Sequence, residues 1–226
     1  MRLLKKEHPT ECIDPYLQFV VNTYVYRSRE TYKNYFEQEN TQPLADYFFE
    51  KIYTLDGKSE RDALAEKTYN RFKGMLTEKS RGRIENLLLL NEITDRLDRE
   101  MADFLRHHSK YLLSDIRTPH IDLDKLPLIY RKCNRMEDRV EQLRLVVQNL
   151  ESFFELSKHP LAGVIMRPVS LAARTVGFTS LYKIFEAGYD ATKPISKEVF
   201  FEFTQYVRKR ETQFLEKIYK KRIHLP

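Results

Sequence analysis

The chain has 226 residues, a net charge of +6, and a composition that is 42% hydrophobic and 32% charged. This balance is too apolar for an intrinsically disordered chain and long enough to bury a sizeable core. Two cysteines are too few for the disulfide framework of a small secreted protein, and no apolar run approaches the length of a membrane span. We therefore expect a soluble, cytoplasmic protein.

Helix start signals recur along the chain and predict an all-α fold. Asp14 before Pro15 is a typical N-cap followed by proline in the first turn, and Ser196 occupies the same capping position before the last helix. Residues 1–13 are predicted to be a flexible N-terminal arm of one domain spanning residues 1–226. Six long helices are predicted, at about residues 15–38, 42–53, 59–76, 80–109, 124–157 and from 196 onward.

The fourth and fifth predicted helices carry a regular 3-4 spacing of apolar residues. In the fourth helix the pattern runs from Leu87 to His108, and in the fifth it runs from Leu126 to Phe154. Such spacing is typical of helices that pack at a shallow angle. Two interpretations stay open at this point, because the fifth helix could pack within one chain or pair across a homodimer.

The stretch of residues 161–189 differs from the rest, because it has few charges and three of the six glycines. We expect two or three short helices here. The stretch could be a hairpin that fills the core, or it could form the wall of a ligand pocket. A hairpin dipping into a membrane is disfavoured by the two arginines. The candidate wall residues are Gly163, Arg167, Arg174, Gly177 and Phe178.

The sequence offers no motif for catalysis, metal binding or cofactor binding. It has no glycine-rich phosphate loop, no nucleophile elbow and no HExxH, and the ExxH pairs of di-iron bundles are missing. No catalytic residue, metal ligand or cofactor can be named. The sequence therefore favours a protein that is not an enzyme.

Five polar residues lie on or beside apolar stripes: Asn91, Asp98, His108, Arg210 and Glu211. Arg210 occupies a position in the last helix where the pattern calls for an apolar side chain. A buried arginine is costly unless it is paired, and Asp98 is its expected partner, with Glu211 and Glu92 as alternatives. The arginine could instead reach solvent along its stem, or anchor an anionic ligand.

The end of the chain is basic, because residues 205–226 contain seven Lys or Arg and two Glu. Cations near a helix C-terminus complement the helix dipole, which is one explanation. The alternative is contact with phosphates or with an anionic membrane face.

Several stretches resemble, in order, the motifs of the bacterial family named for its FFLEELY motif. They are residues 47–53 with 59–62, 90–98, 173–189 and 210–219. The signature itself departs from the family's motif at Tyr47, Phe49 and Lys51. The family has no assigned biochemical activity, so the resemblance implies a helical bacterial protein and no mechanism.

The leading hypothesis is a non-catalytic protein that works by protein–protein association, as a homodimer or with another partner. The alternative is binding of an apolar or amphipathic anionic small molecule, in a pocket lined by residues 161–189 with Arg210 as the polar anchor. Nucleic-acid binding is disfavoured, since the basic residues form no dense run.

Overall fold

A computed structural model describes residues 13–112, 120–158 and 179–225, and within these ranges the chain is helical with no strand. A short π-helix, Phe48–Ile52, follows the third helix directly, and a 3-10 turn, Lys73–Met75, follows the fourth. The α-helices are α1 (Pro15–Thr31), α2 (Lys33–Phe36), α3 (Gln42–Tyr47), α4 (Lys58–Phe72), α5 (Glu78–Leu112), α6 (Leu126–Cys133), α7 (Met136–Lys158), α8 (Thr179–Thr192) and α9 (Lys197–Tyr219).

The long helix α5 is the centre of the bundle. It packs on α1 at one side and on α7 at the other, and α7 packs in turn on α9. Ion pairs Arg83–Glu155 and Arg96–Asp138, at 2.6 and 2.8 Å, show that α5 and α7 run antiparallel. The main core lies between α1, α5, α6, α7 and α9, and its fully buried residues include Val20, Leu105, Ile129, Val147 and Ile218.

Two of the predicted helix caps are confirmed. The Asp14 carboxylate accepts a hydrogen bond from the backbone N–H of Tyr16 at 3.0 Å, and the Ser196 hydroxyl accepts one from Val199 at 3.2 Å. The helix that was predicted to begin at Ser80 begins two residues earlier. Thr77 provides its cap, since the Thr77 hydroxyl accepts from the Ser80 backbone N–H at 3.2 Å.

Two predicted helices are divided. The first ends at Thr31 rather than near Gln38, and α2 follows as a separate turn. The predicted fifth helix is α6 and α7, separated at Asn134, which adopts the left-handed conformation with φ 51°. Asparagine tolerates this conformation better than most residues, so the chain can change direction there.

The 3-4 seam of the fifth predicted helix packs within the chain. Leu126, Ile129, Leu143, Val147 and Phe154 are all buried against other helices of the same molecule. The remaining members of the seam are half-buried. The interpretation of packing within one chain is therefore confirmed for these five residues, and pairing across a homodimer stays a prediction.

Candidate functional site

A cluster of polar residues lies inside the bundle where α1, α5, α6, α7 and the π-helix meet. Asp98 of α5 and Arg139 of α7 are its charged members, and their exposed fractions are 4% and 5%. Charged residues are rarely buried to this extent unless they are paired or hydrogen-bonded. Their partners therefore decide what the cluster can do.

The π-helix positions the first partner of Asp98. The Tyr53 backbone N–H bonds to the Phe48 carbonyl at 2.7 Å, which is the i to i+5 pattern of a π-turn. The Tyr53 hydroxyl then donates to Oδ2 of Asp98 at 2.8 Å. The other carboxyl oxygen, Oδ1, is buried and has no hydrogen-bond partner in the described part of the chain. The segment that carries the predicted signature thus aims one hydroxyl at the buried carboxyl.

Arg139 is held by neutral groups. Its two terminal nitrogens donate to Oε1 of Gln142 and to the sulfur of Met101, each at 2.9 Å. Its guanidinium lies over the ring of Tyr130, 4.6 Å from the centroid, and over Tyr24 at 5.5 Å. Arginine is suited to this surrounding because its flat, weakly hydrated cation stacks on aromatic faces.

Tyrosine hydroxyls complete the cluster. Tyr24 donates to the Tyr130 hydroxyl at 2.8 Å. Desolvation raises the pKa of Tyr24 and of Tyr53 well above the ordinary value, so both stay neutral donors. Burial also raises the pKa of Asp98 to about 6, although nearby Arg139 and the bond from Tyr53 act in the opposite direction. Asp98 is therefore the group in this cluster that can exchange a proton near neutral pH.

A second polar group continues the cluster along α5 toward the surface. The Lys58 ammonium lies between Oδ1 of Asn91 at 2.9 Å and Oδ1 of Asp95 at 3.0 Å, and it also contacts Asp62. The Asn91 amide donates to Asp62 at 3.1 Å. These contacts fix the start of α4 against α5.

Of the residues selected from the sequence, Asn91 and Asp98 lie about two turns apart on α5. Asp98 is buried, and Asn91 is half-buried and bonds to Asp62. His108 is exposed: its ring stacks on Phe104 at 4.3 Å, and its Nδ1 lies 2.9 Å from the Phe104 carbonyl oxygen. It is therefore not a buried polar residue.

The expected burial of Arg210 beside Asp98 is wrong, and the alternative in which the Arg210 side chain reaches solvent agrees with the structure. Arg210 is exposed, and Glu211 beside it is the charged residue that faces the bundle. Glu211 accepts from Arg27 at 2.9 Å and from the Tyr32 hydroxyl, which ties α9 to α1. Adjacent positions on a helix point about 100° apart, so a register error of one residue exchanges an exposed side chain for a buried one.

Arg139 was missed by the sequence pattern. A 3-4 spacing from Met136 to Leu143 can pass through position 139 or position 140, and the apolar Val140 fits the pattern better. The structure buries Arg139 and leaves Val140 half-buried. The sequence signal that could have identified Arg139 is that it occupies one of the two positions, 139 and 140, that fit the apolar spacing equally well.

The candidate pocket-wall residues Gly163, Arg167, Arg174, Gly177 and Phe178 lie outside the described residues. The described end of that stretch forms α8, which packs closely at Gly188. A Cβ added at Gly188 would lie 2.6 Å from Tyr47 and 2.7 Å from Phe153. Here the small residue serves close helix packing.

A band of aromatic rings extends from the bundle to its surface between α2, the π-helix and α9. Tyr35 lies 5.3 Å from Phe203 and 5.5 Å from Tyr206, measured between ring centroids. The Phe36 ring lies 5.7 Å from that of Phe203 and 5.6 Å from that of Phe49. The Phe49 ring in turn contacts the ring of Phe48. We call the partly exposed members of this band the aromatic face: Tyr35, Phe36, Phe48, Phe203 and Tyr206.

Comparison with known proteins assigns a family. A family model described as "Domain of unknown function (DUF8198)" matches residues 9–224. The chain belongs to this family. No curated protein and no solved structure gives a match. Because the function of the family is unknown, membership names no reaction, ligand or partner.

Within residues 13–112, 120–158 and 179–225, no three His, Cys, Asp or Glu side chains are arranged to hold a metal ion. In the same ranges, no helix combines the length and the apolarity needed to cross a membrane.

Proposed function

We propose that this protein is a non-catalytic binding protein and that another protein docks on the aromatic face. The observation that supports this is the partial exposure of large aromatic side chains that ring contacts link together, with Phe48 joined to the others through the buried ring of Phe49. Phe48 is 40% exposed and Tyr206 is 38% exposed, while the neighbouring rings lie half-buried beside them. Tyrosine and phenylalanine are enriched at the centres of protein interfaces and are costly to leave in water.

The geometry of the aromatic face suits docking in three ways. Rings that already contact one another lose little conformational freedom when a partner covers them. Tyr35 and Tyr206 present hydroxyls as well as apolar faces, which suits a mixed interface. The face joins α2, the π-helix and α9, which are packed on the bundle and therefore hold it in place.

The small-molecule alternative has less support. It requires Arg210 as a polar anchor inside a pocket, and Arg210 is exposed. Its proposed wall is residues 161–189, of which residues 161–178 lie outside the described ranges. A cytoplasmic location, a bacterial source and membership of the family with the FFLEELY motif belong to the proposal as expectations from the sequence.

Photo-crosslinking in cells tests the proposal. A benzophenone amino acid at Tyr206 is expected to give a discrete adduct with one protein. The same group at Lys67, which is exposed on α4, serves as the control and should not give that adduct. A second copy of the chain in the adduct would assign self-association instead. Equal adducts from both positions, or a crosslink only to residues 1–12 or 159–178 of the same chain, would overturn the proposal.

A further inference from the structure

One side of the aromatic face rests on a buried tyrosine. The ring centroid of Tyr32 lies 5.8 Å from those of Phe36 and Phe203 and 6.0 Å from that of Tyr206. The Tyr32 hydroxyl donates to Oε1 of Glu211. A carboxylate inside the bundle therefore holds the tyrosine on which these three rings pack.

The other side of the face, at the π-helix, is held in the same way by Tyr53. This residue is joined to Phe48 twice: its backbone N–H bonds to the Phe48 carbonyl at 2.7 Å, and the two rings lie 6.2 Å apart with their planes 14° apart. The Tyr53 hydroxyl donates to Oδ2 of Asp98 at 2.8 Å. A chain of contacts thus runs from the buried carboxyl of Asp98 to the exposed ring of Phe48.

The two carboxyl groups differ in how well they are satisfied. Both oxygens of Glu211 are engaged, because Arg27 donates to Oε2 at 2.9 Å. Asp98 accepts a bond at one oxygen only, and its Oδ1 is buried with no hydrogen-bond partner among the described residues. The buried cation close to it, Arg139, donates from its terminal nitrogens to an amide and a thioether instead. The charge of Asp98 is therefore the less compensated of the two.

Each element packed around Asp98 contributes a charged or titratable group near it. In the described part of the chain these are Tyr24 of α1, Tyr53 after the π-helix, Lys58 of α4, Asp95 of α5 and Arg139 of α7, with Tyr130 of α6 bonded to Tyr24. Burial raises the pKa of Asp98 to about 6, while Arg139 and the bond from Tyr53 act to lower it. Because the bond from Tyr53 favours the ionised carboxylate, loss of the proton must strengthen that bond in return. A hydrogen bond to a charged acceptor is also stronger than one to a neutral acceptor.

We propose that Asp98 is a positioning residue for the aromatic face and that its proton regulates the face through Tyr53. When Asp98 is ionised, Tyr53 is held firmly and Phe48 keeps its place beside the other rings. When Asp98 is protonated, the bond weakens and the Phe48 ring gains freedom. The consequence for a partner, which is tighter docking above about pH 6 than below it, rests on the proposed function. The transmission from Asp98 to Phe48 is a property of the chain alone.

Fluorine NMR of the full chain measures this transmission without a partner. 4-Fluorophenylalanine replaces Phe48, and its chemical shift is followed from pH 4 to pH 8. We expect one titration with a midpoint at about pH 6. Asp98→Asn should abolish it and leave the signal where the native chain has it at low pH, because a neutral amide oxygen still accepts from Tyr53. Tyr53→Phe should also abolish it, since this change removes the hydroxyl and keeps the ring and the backbone bond.

Asp103→Asn is the matched control, because it removes an exposed carboxylate from the same helix, and it should keep the titration. The same label at Phe203, which packs on Tyr32, should not follow it. A titration at position 48 that persists in Asp98→Asn or in Tyr53→Phe would overturn the proposal. Equal titrations at positions 48 and 203 would do the same, since they indicate a change of the whole fold.

The outcomes separate this proposal from docking itself. If position 48 shows no titration while the crosslink from position 206 still forms, the regulation is wrong and docking on the aromatic face stands. If position 48 titrates as expected and no adduct forms from position 206 at any pH, the transmission is confirmed and the docking is wrong.

Discussion

Asp98 and Arg139 bring opposite charges into the interior without a direct hydrogen bond to each other. Asp98 receives one bond, from Tyr53, and Arg139 donates to an amide and a thioether. Removing one member of a buried pair of charges leaves the other charge without compensation. This usually costs far more free energy of folding than the intact pair contributes. These two residues should therefore be sensitive to substitution, and Asp98 should make stability depend on pH.

The first prediction concerns Asp98 and pH. Because burial raises its pKa from 3.8 to about 6, the folded chain keeps a proton there that the unfolded chain has lost. The Asp98 contribution to stability is fully present below about pH 4 and is lost as pH rises through 6. The stability of Asp98→Asn relative to the native chain should therefore rise by about 2 kcal/mol between pH 4 and pH 7.

Urea unfolding of both chains at the two pH values measures this gain. Asp124→Asn, at an exposed position, is the control for removing a carboxylate. If the free energies of unfolding of Asp98→Asn and the native chain differ by the same amount at pH 4 and pH 7, the pKa of Asp98 is not raised in the folded state.

The second prediction separates the buried arginine from the exposed one. Arg139→Ala removes a buried cation close to Asp98 and the guanidinium that stacks on Tyr130, so it should cost about 3–5 kcal/mol. Arg210→Ala should change the free energy of unfolding by less than about 0.5 kcal/mol, because the side chain is exposed. Chemical unfolding of the two variants decides the matter. A larger loss of unfolding free energy in Arg210→Ala than in Arg139→Ala would show that Arg210, and not Arg139, is the buried arginine.

At the residue scale, the sequence pattern identified Asp98 and missed its neighbours. Asp98 lies beside the regular apolar stripe of α5, so the spacing of apolar residues is enough to single it out. Arg139 and Tyr53 come to it from α7 and the π-helix, and their approach depends on how helices distant in sequence are arranged. The π-turn has no periodic signal of its own, because one additional residue in a turn shifts every later side chain by about 100°.

At the scale of the elements, most of the helix starts were predictable to within a few residues, and two of the breaks were not. N-caps are chemical signals carried by single side chains, and those of Asp14 and Ser196 are confirmed. The break at Asn134 has only a weak signal, since asparagine also occurs inside helices. The apolar spacing continues across Asn134, and for this reason the sequence predicts a single helix where the structure has α6 and α7.

The third prediction concerns helix packing at α8. Gly188→Ala places a methyl group 2.6 Å from the ring of Tyr47 and 2.7 Å from that of Phe153, so one or both rings must shift. We expect a loss of about 1–3 kcal/mol. Gly82→Ala is the matched control in α5, where nothing lies within 4 Å, and it should stabilise the chain by up to about 1 kcal/mol. Thermal unfolding compares them, and a stabilising Gly188→Ala would show that α8 does not approach α3 this closely.

At the scale of the whole molecule, the all-α architecture could be predicted from the sequence. Which residues come together on the surface could not. Apolar spacing indicates which side of a helix is buried, but it does not indicate which helices are neighbours. The aromatic face is formed by residues that lie more than 150 positions apart in the sequence, from α2 and the π-helix on one side and α9 on the other. Its exposed rings are the feature that a binding partner would cover.

The most direct test of this central proposal is the crosslink from position 206 in two backgrounds. In the otherwise native chain, the adduct with a partner protein should form. In a chain that also carries Tyr35→Ser and Phe48→Ser, the adduct should fall at least tenfold, while circular dichroism shows an unchanged helical fold. An adduct of equal intensity in both backgrounds would contradict docking on the aromatic face.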